Sequence, residues 1–143
     1  MSFLVDTNIL SELARAAPDA GVLAWAQGVT AISLSVITVD EVCFGLAWRP
    51  NARIEAWLAG FLHRQCHVLP VTERIARQAG GLRGSLRRQG TVRTQADMLI
   101  AATAQVHGLT LVTRNERDFA GCGIPVLNPF AQAAACLLPR PTS

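Results

Sequence analysis

The chain has 143 residues, half of them hydrophobic, and a formal net charge of +3. This length is typical of one domain, and the composition can supply a hydrophobic core. No apolar stretch approaches the roughly 18 residues that a membrane span needs. All 13 basic residues are arginine, which excludes the phosphate-binding loops that are built on a Gly-Lys pair.

Four cysteines are scattered along the chain without a C-x-x-C pair. Such spacing favours free thiols in a reducing compartment over a disulfide framework. The start of the chain lacks the basic segment and the longer apolar run of a signal peptide. We therefore expect a cytoplasmic protein with no membrane segment.

Short apolar runs alternate with helical patterns along the chain. The predicted strands are residues 2–5, 31–34, 67–69, 109–112 and 124–126. The predicted helices are residues 7–16, 18–28, 38–48, 50–62, 72–89 and 94–107. This alternation predicts an α/β fold, with a mostly parallel sheet of four to five strands flanked by helices. We expect a single domain over residues 1–130 and a flexible tail over 131–143.

Three of the ten acidic residues stand among apolar neighbours. Asp6 ends the first apolar run, Glu41 lies in the third predicted helix, and Asp97 lies in the first turn of a helix that is apolar all round. Ligands of open α/β sheets bind outside the carboxyl ends of the strands. Because buried carboxylates are costly unless they are paired or bind a metal, convergence of these acids would favour a hard divalent cation such as Mg²⁺.

Helix capping is the alternative explanation for each acid taken singly. Asp6 can be the N-cap of the first helix. Thr38 with Glu41, and Thr94 with Asp97, have the spacing of a capping box. Capping does not require the acids to converge on one edge of the sheet, so convergence distinguishes the two explanations.

A polar segment follows the fourth predicted strand and should leave the same edge of the sheet as Asp6. It contains Thr113, Arg114, Asn115, Arg117 and Asp118. Its acid and amide are candidate ligands, and its two arginines can contact phosphate. Together with Asn8, Thr113 can orient carboxylates and water, although both can equally satisfy a turn.

A second basic stretch lies on the predicted long helix. Arg83, Arg87 and Arg88 occur there among the glycines at 80, 81 and 84. A solvated helix face and a contact with an RNA backbone are equally compatible with this pattern. The glycines weaken the helix or allow another backbone to approach closely.

Four segments in order carry a resemblance to a known family. They are LVDTN at 4–8, SVITVDEV at 35–42, DMLIAATA at 97–104 and LVTRNERDF at 111–119. Over about residues 3–130 the chain resembles the PIN-domain ribonucleases, specifically the VapC-type toxins of toxin–antitoxin modules. The resemblance implies a PIN-like fold, Mg²⁺ dependence with Mn²⁺ as a substitute, RNA as the substrate, a homodimer, and a small antitoxin as partner.

The resemblance also implies a site. The family's metal-site acids correspond to Asp6, Glu41 and Asp97, and we assign Asp118 an outer role in holding water, which makes these four the catalytic set. Many family members carry an acid where this chain has Asn115, which offers an oxygen but no charge. Weaker assignments as substrate-binding residues go to Asn8, Thr113, Arg114, Asn115 and Arg117.

These features predict a metal-dependent endoribonuclease that hydrolyses RNA with activated water. Receiver domains and aspartyl phosphatases also place an aspartate after a first strand, but these families rely on a lysine, and this chain has none. A non-catalytic RNA-binding or scaffold protein of the same fold remains the alternative. Metal-dependent cleavage of RNA distinguishes these two functions.

Overall fold

The computed structural model describes residues 2–130, so the predicted tail at 131–143 lies outside the described residues. Five strands form one sheet in the order β3-β2-β1-β4-β5, and all four pairings are parallel. The strands are β1 (Phe3–Val5), β2 (Ile32–Ser35), β3 (Cys66–Leu69), β4 (Thr110–Val112) and β5 (Val126–Leu127). The helices are α1 (Thr7–Leu13), α2 (Ala20–Gln27), α3 (Val36–Trp48), α4 (Ala52–Gln65), α5 (Glu73–Arg88) and α6 (Gln95–His107), with a 3-10 helix at Glu116–Phe119. The predicted α/β fold is confirmed.

The strand order places a switch point between β1 and β4. The chain builds the sheet outward from β1 through β2 to β3, and then returns to the other side of β1 with β4 and β5. Val5 pairs with Val112, so these two strands end side by side. The backbone N–H of Asp6 donates to the carbonyl of Val112 at 2.9 Å. A crevice for ligands is therefore expected at the polar residues that follow these two strands.

Apolar side chains pack on both faces of the sheet. One cluster joins Leu4 and Leu111 to α5 and α6, and the other joins Val5 and Val112 to α1, α2 and α4. Helix α6 is largely surrounded by other residues, as its uniform apolar character predicts. Its completely buried side chains include Met98, Ile100, Ala101, Ala102, Thr103 and Ala104.

The ends of several elements differ from the predictions. Helix α1 ends at Leu13 rather than 16, and α2 begins only after its N-cap Asp19, whose carboxylate accepts from two backbone N–H groups. Strand β5 covers Val126–Leu127 rather than 124–126. Pro125 has no N–H to donate, and it contributes only its carbonyl, to Leu111 N at 2.9 Å.

The predicted capping box at Thr38 is wrong. Helix α3 begins directly after β2, and Ser35 is its N-cap, with its hydroxyl accepting from Ile37 N at 3.1 Å. Thr38 is therefore inside the helix, completely buried, and its hydroxyl has no hydrogen-bond partner among residues 2–130. Glu41 consequently lies in the second turn of α3, where it has no capping role.

The helices are short and carry polar residues. Among those that the structure describes, none is long and apolar enough to cross a bilayer.

Candidate functional site

Asp6 lies at the centre of the crevice, directly after β1. Its side chain is only 5% exposed. One carboxylate oxygen accepts from Thr7 N at 2.8 Å, and the other accepts from the Thr113 hydroxyl at 2.8 Å and from Asn8 Nδ2 at 3.1 Å. Asp6 is thus the N-cap of α1, as the capping explanation predicts, but its second oxygen is held by residues that capping does not involve.

The pKa of Asp6 is raised despite these hydrogen bonds. Burial is the main cause, and the charge of Asp118 raises the pKa further, while the bonds from Thr113, Thr7 and Asn8 lower it. All three donors are neutral, and no cation among residues 2–130 forms an ion pair with the carboxylate. The residue is therefore held firmly in place while its charge remains uncompensated.

Asn8 and Thr113 connect the two loops that follow β1 and β4. Asn8 Nδ2 also donates to the Thr113 hydroxyl oxygen at 3.3 Å, and Asn8 Oδ1 accepts from Arg114 N at 3.0 Å. The Thr113 hydroxyl oxygen accepts from Asn115 N at 3.0 Å. These contacts direct both side chains toward the protein's own polar groups, so their geometry fits the positioning of Asp6 better than a direct contact with a ligand.

Glu41 reaches the same crevice from α3. Its Oε1 accepts from the Thr7 hydroxyl at 2.9 Å. Because Thr7 also donates its backbone N–H to Asp6, one residue positions two of the predicted acids. This link between residues 34 positions apart joins the start of α1 to the second turn of α3.

Asp97 reaches the crevice from the first turn of α6. Thr94 is the N-cap, and its hydroxyl accepts from Asp97 N at 3.1 Å. Burial raises the pKa of Asp97 most, a hydrogen bond with Thr94 lowers it, and the charges of Asp6, Asp118 and Glu41 raise it further. The other three predicted acids therefore lie near enough to Asp97 for their charges to raise its pKa.

None of these four acids is paired with a cation in the described part of the chain. The ion pairs among residues 2–130 are Arg15 with Glu12 and Arg77 with Glu73, and both lie outside the crevice. An uncompensated group of partly buried carboxylates is unfavourable in the isolated protein. Its oxygen donors are those that hard divalent cations prefer.

The acids stand apart from one another rather than in a closed cage. In the part of the chain that the structure describes, no three Asp, Glu, His or Cys side chains are close enough to hold a metal ion among themselves. Mg²⁺ usually keeps several waters and binds proteins through one or two carboxylates. A hydrated ion is thus compatible with this spacing, whereas a four-ligand zinc site is not.

The remaining predicted residues lie on the rim. Asp118 is half-buried in the 3-10 helix, whereas Arg114, Asn115 and Arg117 are exposed. The Arg114 guanidinium lies over the Phe130 ring, 4.6 Å from its centroid. The charge of Asp118 raises the pKa of Asp6 and of Asp97, so Asp118 lies near the crevice. Neither apolar periodicity nor a capping pattern predicted the 3-10 helix that carries it.

Comparison with known proteins agrees with this geometry. Residues 3–122 match the PIN domain family. The VapC ribonuclease Y4jK of Sinorhizobium fredii is 36% identical over 138 residues, which cover 91% of this chain and 99% of that protein. The crystal structure of FitAcB from Neisseria gonorrhoeae has a TM-score of 0.76 and 32% identity, covering 90% of this chain and 98% of that one. A toxin–antitoxin complex from Klebsiella pneumoniae has a TM-score of 0.71 and 29% identity, with coverages of 90% and 98%.

The parallel sheet and its acidic crevice define a PIN-domain protein, and the chain belongs to the PIN domain family. Within that family it is a VapC-type ribonuclease toxin of a toxin–antitoxin module, in agreement with the resemblance seen in the sequence.

Proposed function

We propose that the chain is a metal-dependent endoribonuclease whose site is formed by Asp6, Glu41, Asp97 and Asp118. The observation that carries the proposal is the placement of these acids around one crevice, where repulsion by the other three raises the pKa of Asp97 and none of the four has a cationic partner among residues 2–130. Mg²⁺, with Mn²⁺ as a substitute, would offset this repulsion. Asp6 and Asp97 would hold the ion directly, Glu41 directly or through water, and Asp118 through water.

The bound ion would supply two effects, a lower pKa for a coordinated water and partial neutralisation of the phosphate. The protein's own contribution is positioning. Thr113, Asn8 and the Thr7 backbone fix the Asp6 carboxylate, and the Thr7 hydroxyl fixes Glu41. Because these side chains are already ordered, little reorganisation remains when the substrate binds.

Basic residues on the rim would bring the RNA to this acidic site. Arg114 and Arg117 are exposed beside Asp118, and a guanidinium can donate two parallel hydrogen bonds to a phosphate. Burial is the main cause of the raised pKa values of Asp6 and Asp97, and the charges of neighbouring acids raise them further. Those charges would disfavour an approaching phosphate until a metal ion binds. Cation binding and RNA binding should therefore be coupled.

We also propose an antitoxin site in an apolar cleft between α1, α3 and α4. The cleft has a volume of about 340 Å³, with Leu10, Leu46 and Trp57 in its lining and Thr7 and Glu41 at its border. An apolar antitoxin segment would fit this cleft, and a nearby arginine could then enter the acidic crevice in place of the metal. The similar protein from Klebsiella pneumoniae is part of a toxin–antitoxin complex, which supports an antitoxin as the partner.

A homodimer is proposed as well. Phe44 and Trp48 on α3 are 68% and 67% exposed, and their ring centroids are 6.3 Å apart. Exposed aromatic pairs of this kind often mark protein contacts. Light scattering of the purified chain should give twice the mass of one copy, and Trp48→Ala should shift the mass toward one copy.

Cleavage of RNA tests the main proposal. The purified chain, freed of any partner protein, is incubated with total RNA in Mg²⁺ or Mn²⁺ and, in parallel, in EDTA. We expect cleavage with either ion and none in EDTA. Asp40→Asn is the matched control, because Asp40 is an exposed neighbour of Glu41 on α3 and should be dispensable. RNA binding without cleavage in either ion would favour the non-catalytic scaffold.

A further inference from the structure

A second cavity lies outside the acidic crevice, between α5 and the segment that leads into α6. Its volume is about 420 Å³. It is lined by Gly80, Arg83, Gly84, Arg87, Val92 and Arg93. None of the three arginines belongs to the predicted metal or rim residues, so the proposed reaction leaves this cavity without a role.

Helix geometry explains how a cavity forms on an exposed helix. Gly80 and Gly84 are four residues apart, as are Arg83 and Arg87, so all four share one side of α5. A Cβ atom added to either glycine would meet nothing within 4 Å. Because glycine has no side chain, the helix backbone at these two positions lines the bottom of the cavity, and the arginine side chains line its sides.

The three arginines keep their charge available. None forms an ion pair with any acid of residues 2–130. Arg93 donates from Nη2 to the carbonyl of Ala120 at 3.1 Å, and its buried Nε has no hydrogen-bond partner in the same part of the chain. The cavity thus combines three positive charges with guanidinium donors, among them the Arg93 Nε that has no acceptor among residues 2–130.

The cavity lies close to the acidic crevice. Arg93 precedes Asp97 by four residues, across the Thr94 N-cap of α6. Both residues also lie near the buried Cys122, since the charge of Arg93 lowers the pKa of its thiol and the charge of Asp97 raises it. Arg93 of the basic cavity and Asp97 of the acidic crevice therefore both lie at the N-terminal end of α6.

We propose that this cavity binds a phosphate of the RNA substrate, one that lies outside the acidic crevice. The inference rests on the proposed function, and it assigns Arg83, Arg87 and Arg93 as substrate-binding residues. An acidic site gains affinity for a polyanion when a cationic site binds the neighbouring backbone. Arginine suits that role, because its planar guanidinium makes bidentate contacts with phosphate. Open backbone at the two glycines lets the phosphate approach between the arginine side chains.

The test measures RNA binding without cleavage. Fluorescence anisotropy of a fluorescein-labelled single-stranded RNA is recorded in EDTA for the wild-type chain and two double variants. Arg83→Gln/Arg87→Gln removes two cavity charges. Arg74→Gln/Arg77→Gln is the matched control, because it removes two exposed charges from the same helix that do not line the cavity.

We expect the cavity variant to bind the RNA about tenfold more weakly or worse, since glutamine cannot replace the charge-assisted hydrogen bonds to phosphate. Its plot of log affinity against log salt should also become shallower, by about 0.7 for each phosphate that the variant no longer neutralises. The control variant should bind within about twofold of wild type with an unchanged salt slope. Equally weakened binding in both variants would mean a general charge effect and would overturn the proposal.

Gly84→Leu tests the cavity by shape rather than charge. Open space at the Gly84 Cβ position and the higher helix propensity of leucine should leave the fold and its melting temperature intact. The added side chain should fill the cavity floor and weaken RNA binding while the net charge stays the same. Wild-type affinity in a folded Gly84→Leu variant would overturn the proposal.

The two proposals fail in different ways. If the wild-type chain binds RNA through the cavity but does not cleave it in Mg²⁺ or Mn²⁺, the nuclease proposal fails and the cavity assignment stands. If the wild-type chain cleaves RNA, and the cavity variant has the same KM and affinity as wild type, the cavity assignment fails and the nuclease proposal stands.

Discussion

Two buried carboxylates lie at opposite ends of α1, and their partners differ. Glu12 is 8% exposed, and it accepts from Arg15 Nη1 at 3.0 and 3.1 Å and from Asp19 N at 3.0 Å. Asp6 is 5% exposed, but all its donors are neutral, and its pKa is raised by burial and by Asp118. Glu12 thus pairs with Arg15, whereas Asp6 has no cationic partner among residues 2–130.

The comparison separates structural acids from functional ones. Glu12 ties the end of α1 to the start of α2, because Asp19 is the N-cap of α2. Asp6 also caps a helix, so capping alone does not distinguish the two residues. The two residues differ because Asp6 has no cationic partner within the described range 2–130, and because the charge of Asp118 raises the pKa of both Asp6 and Asp97. Buried carboxylates that lack a cationic partner indicate where an external cation would bind.

The largest expected effect is loss of cleavage in Asp6→Asn and Asp97→Asn. Each should lower the initial rate of RNA cleavage more than about 100-fold, because even outer partners of a bound metal contribute about 10–100-fold. The loss of cleavage rate in Asp118→Asn should lie within that smaller range of about 10–100-fold. Circular dichroism would check the fold of each variant. Loss of folding in Asp6→Asn would show that its capping role dominates, and equal inactivity of Asp118→Asn would make Asp118 a direct ligand.

Glu12→Ala should change stability and leave the activity per folded molecule unchanged. Removal of the carboxylate leaves Asp19 N and Arg15 without their acceptor, although Arg15 is 65% exposed and can be hydrated. We expect the free energy of unfolding to fall by about 1–2 kcal/mol, measured by urea denaturation. A tenfold loss of cleavage in the folded variant would instead connect Glu12 to the site.

A lower pH should decrease the cleavage activity and increase the stability of the metal-free protein. Asp6 and Asp97 both have a pKa raised above 3.8, the ordinary value. As the pH is lowered, cleavage should therefore begin to decline before the pH reaches that ordinary value, because a protonated acid cannot bind the ion. Stability without metal should increase over the same window, since the folded state binds these protons more tightly than the unfolded chain. Melting curves in EDTA at several pH values, compared with those of Asp97→Asn, check the sign. If the stability of Asp97→Asn increases by the same amount as the pH falls, the increase arises from groups other than Asp97.

The smallest expected effect concerns the position of Glu41. Thr7→Val removes the hydroxyl that donates to Glu41 but keeps the backbone N–H that donates to Asp6. We expect a loss of cleavage below about tenfold, which should be reduced by a higher Mg²⁺ concentration. Thr7→Ser keeps the hydroxyl and should restore wild-type cleavage. No difference between the valine and serine variants would mean that Glu41 needs no positioning.

The sheet and the positions of its acids could be predicted from local patterns. Strands that end in a polar residue, such as Val5 before Asp6 and Val112 before Thr113, meet at one edge when they pair in parallel. The uniform apolar character of α6 predicted its burial and thus the location of Asp97. These inferences need only strand direction and helix periodicity.

Other features depend on contacts between distant residues. Thr38 and Glu41 have capping-box spacing, but Ser35 directly after β2 starts the helix earlier. The 3-10 helix that carries Asp118 follows no apolar period, and Arg93 joins Arg83 and Arg87 only because α5 and α6 pack together. Glu12 and Arg15 have the spacing of a helical ion pair, so this structural acid could have been found from the sequence.

Metal binding in the absence of RNA tests the central claim most directly. Calorimetric titration with Mn²⁺ would compare the wild-type chain with Asp97→Asn and Glu12→Gln. Uncompensated acids predict that the wild-type chain binds Mn²⁺, that Asp97→Asn binds at least about tenfold more weakly, and that Glu12→Gln binds like wild type. Equal binding of Mn²⁺ by the wild-type chain and Asp97→Asn would contradict the assignment of this crevice as the metal site.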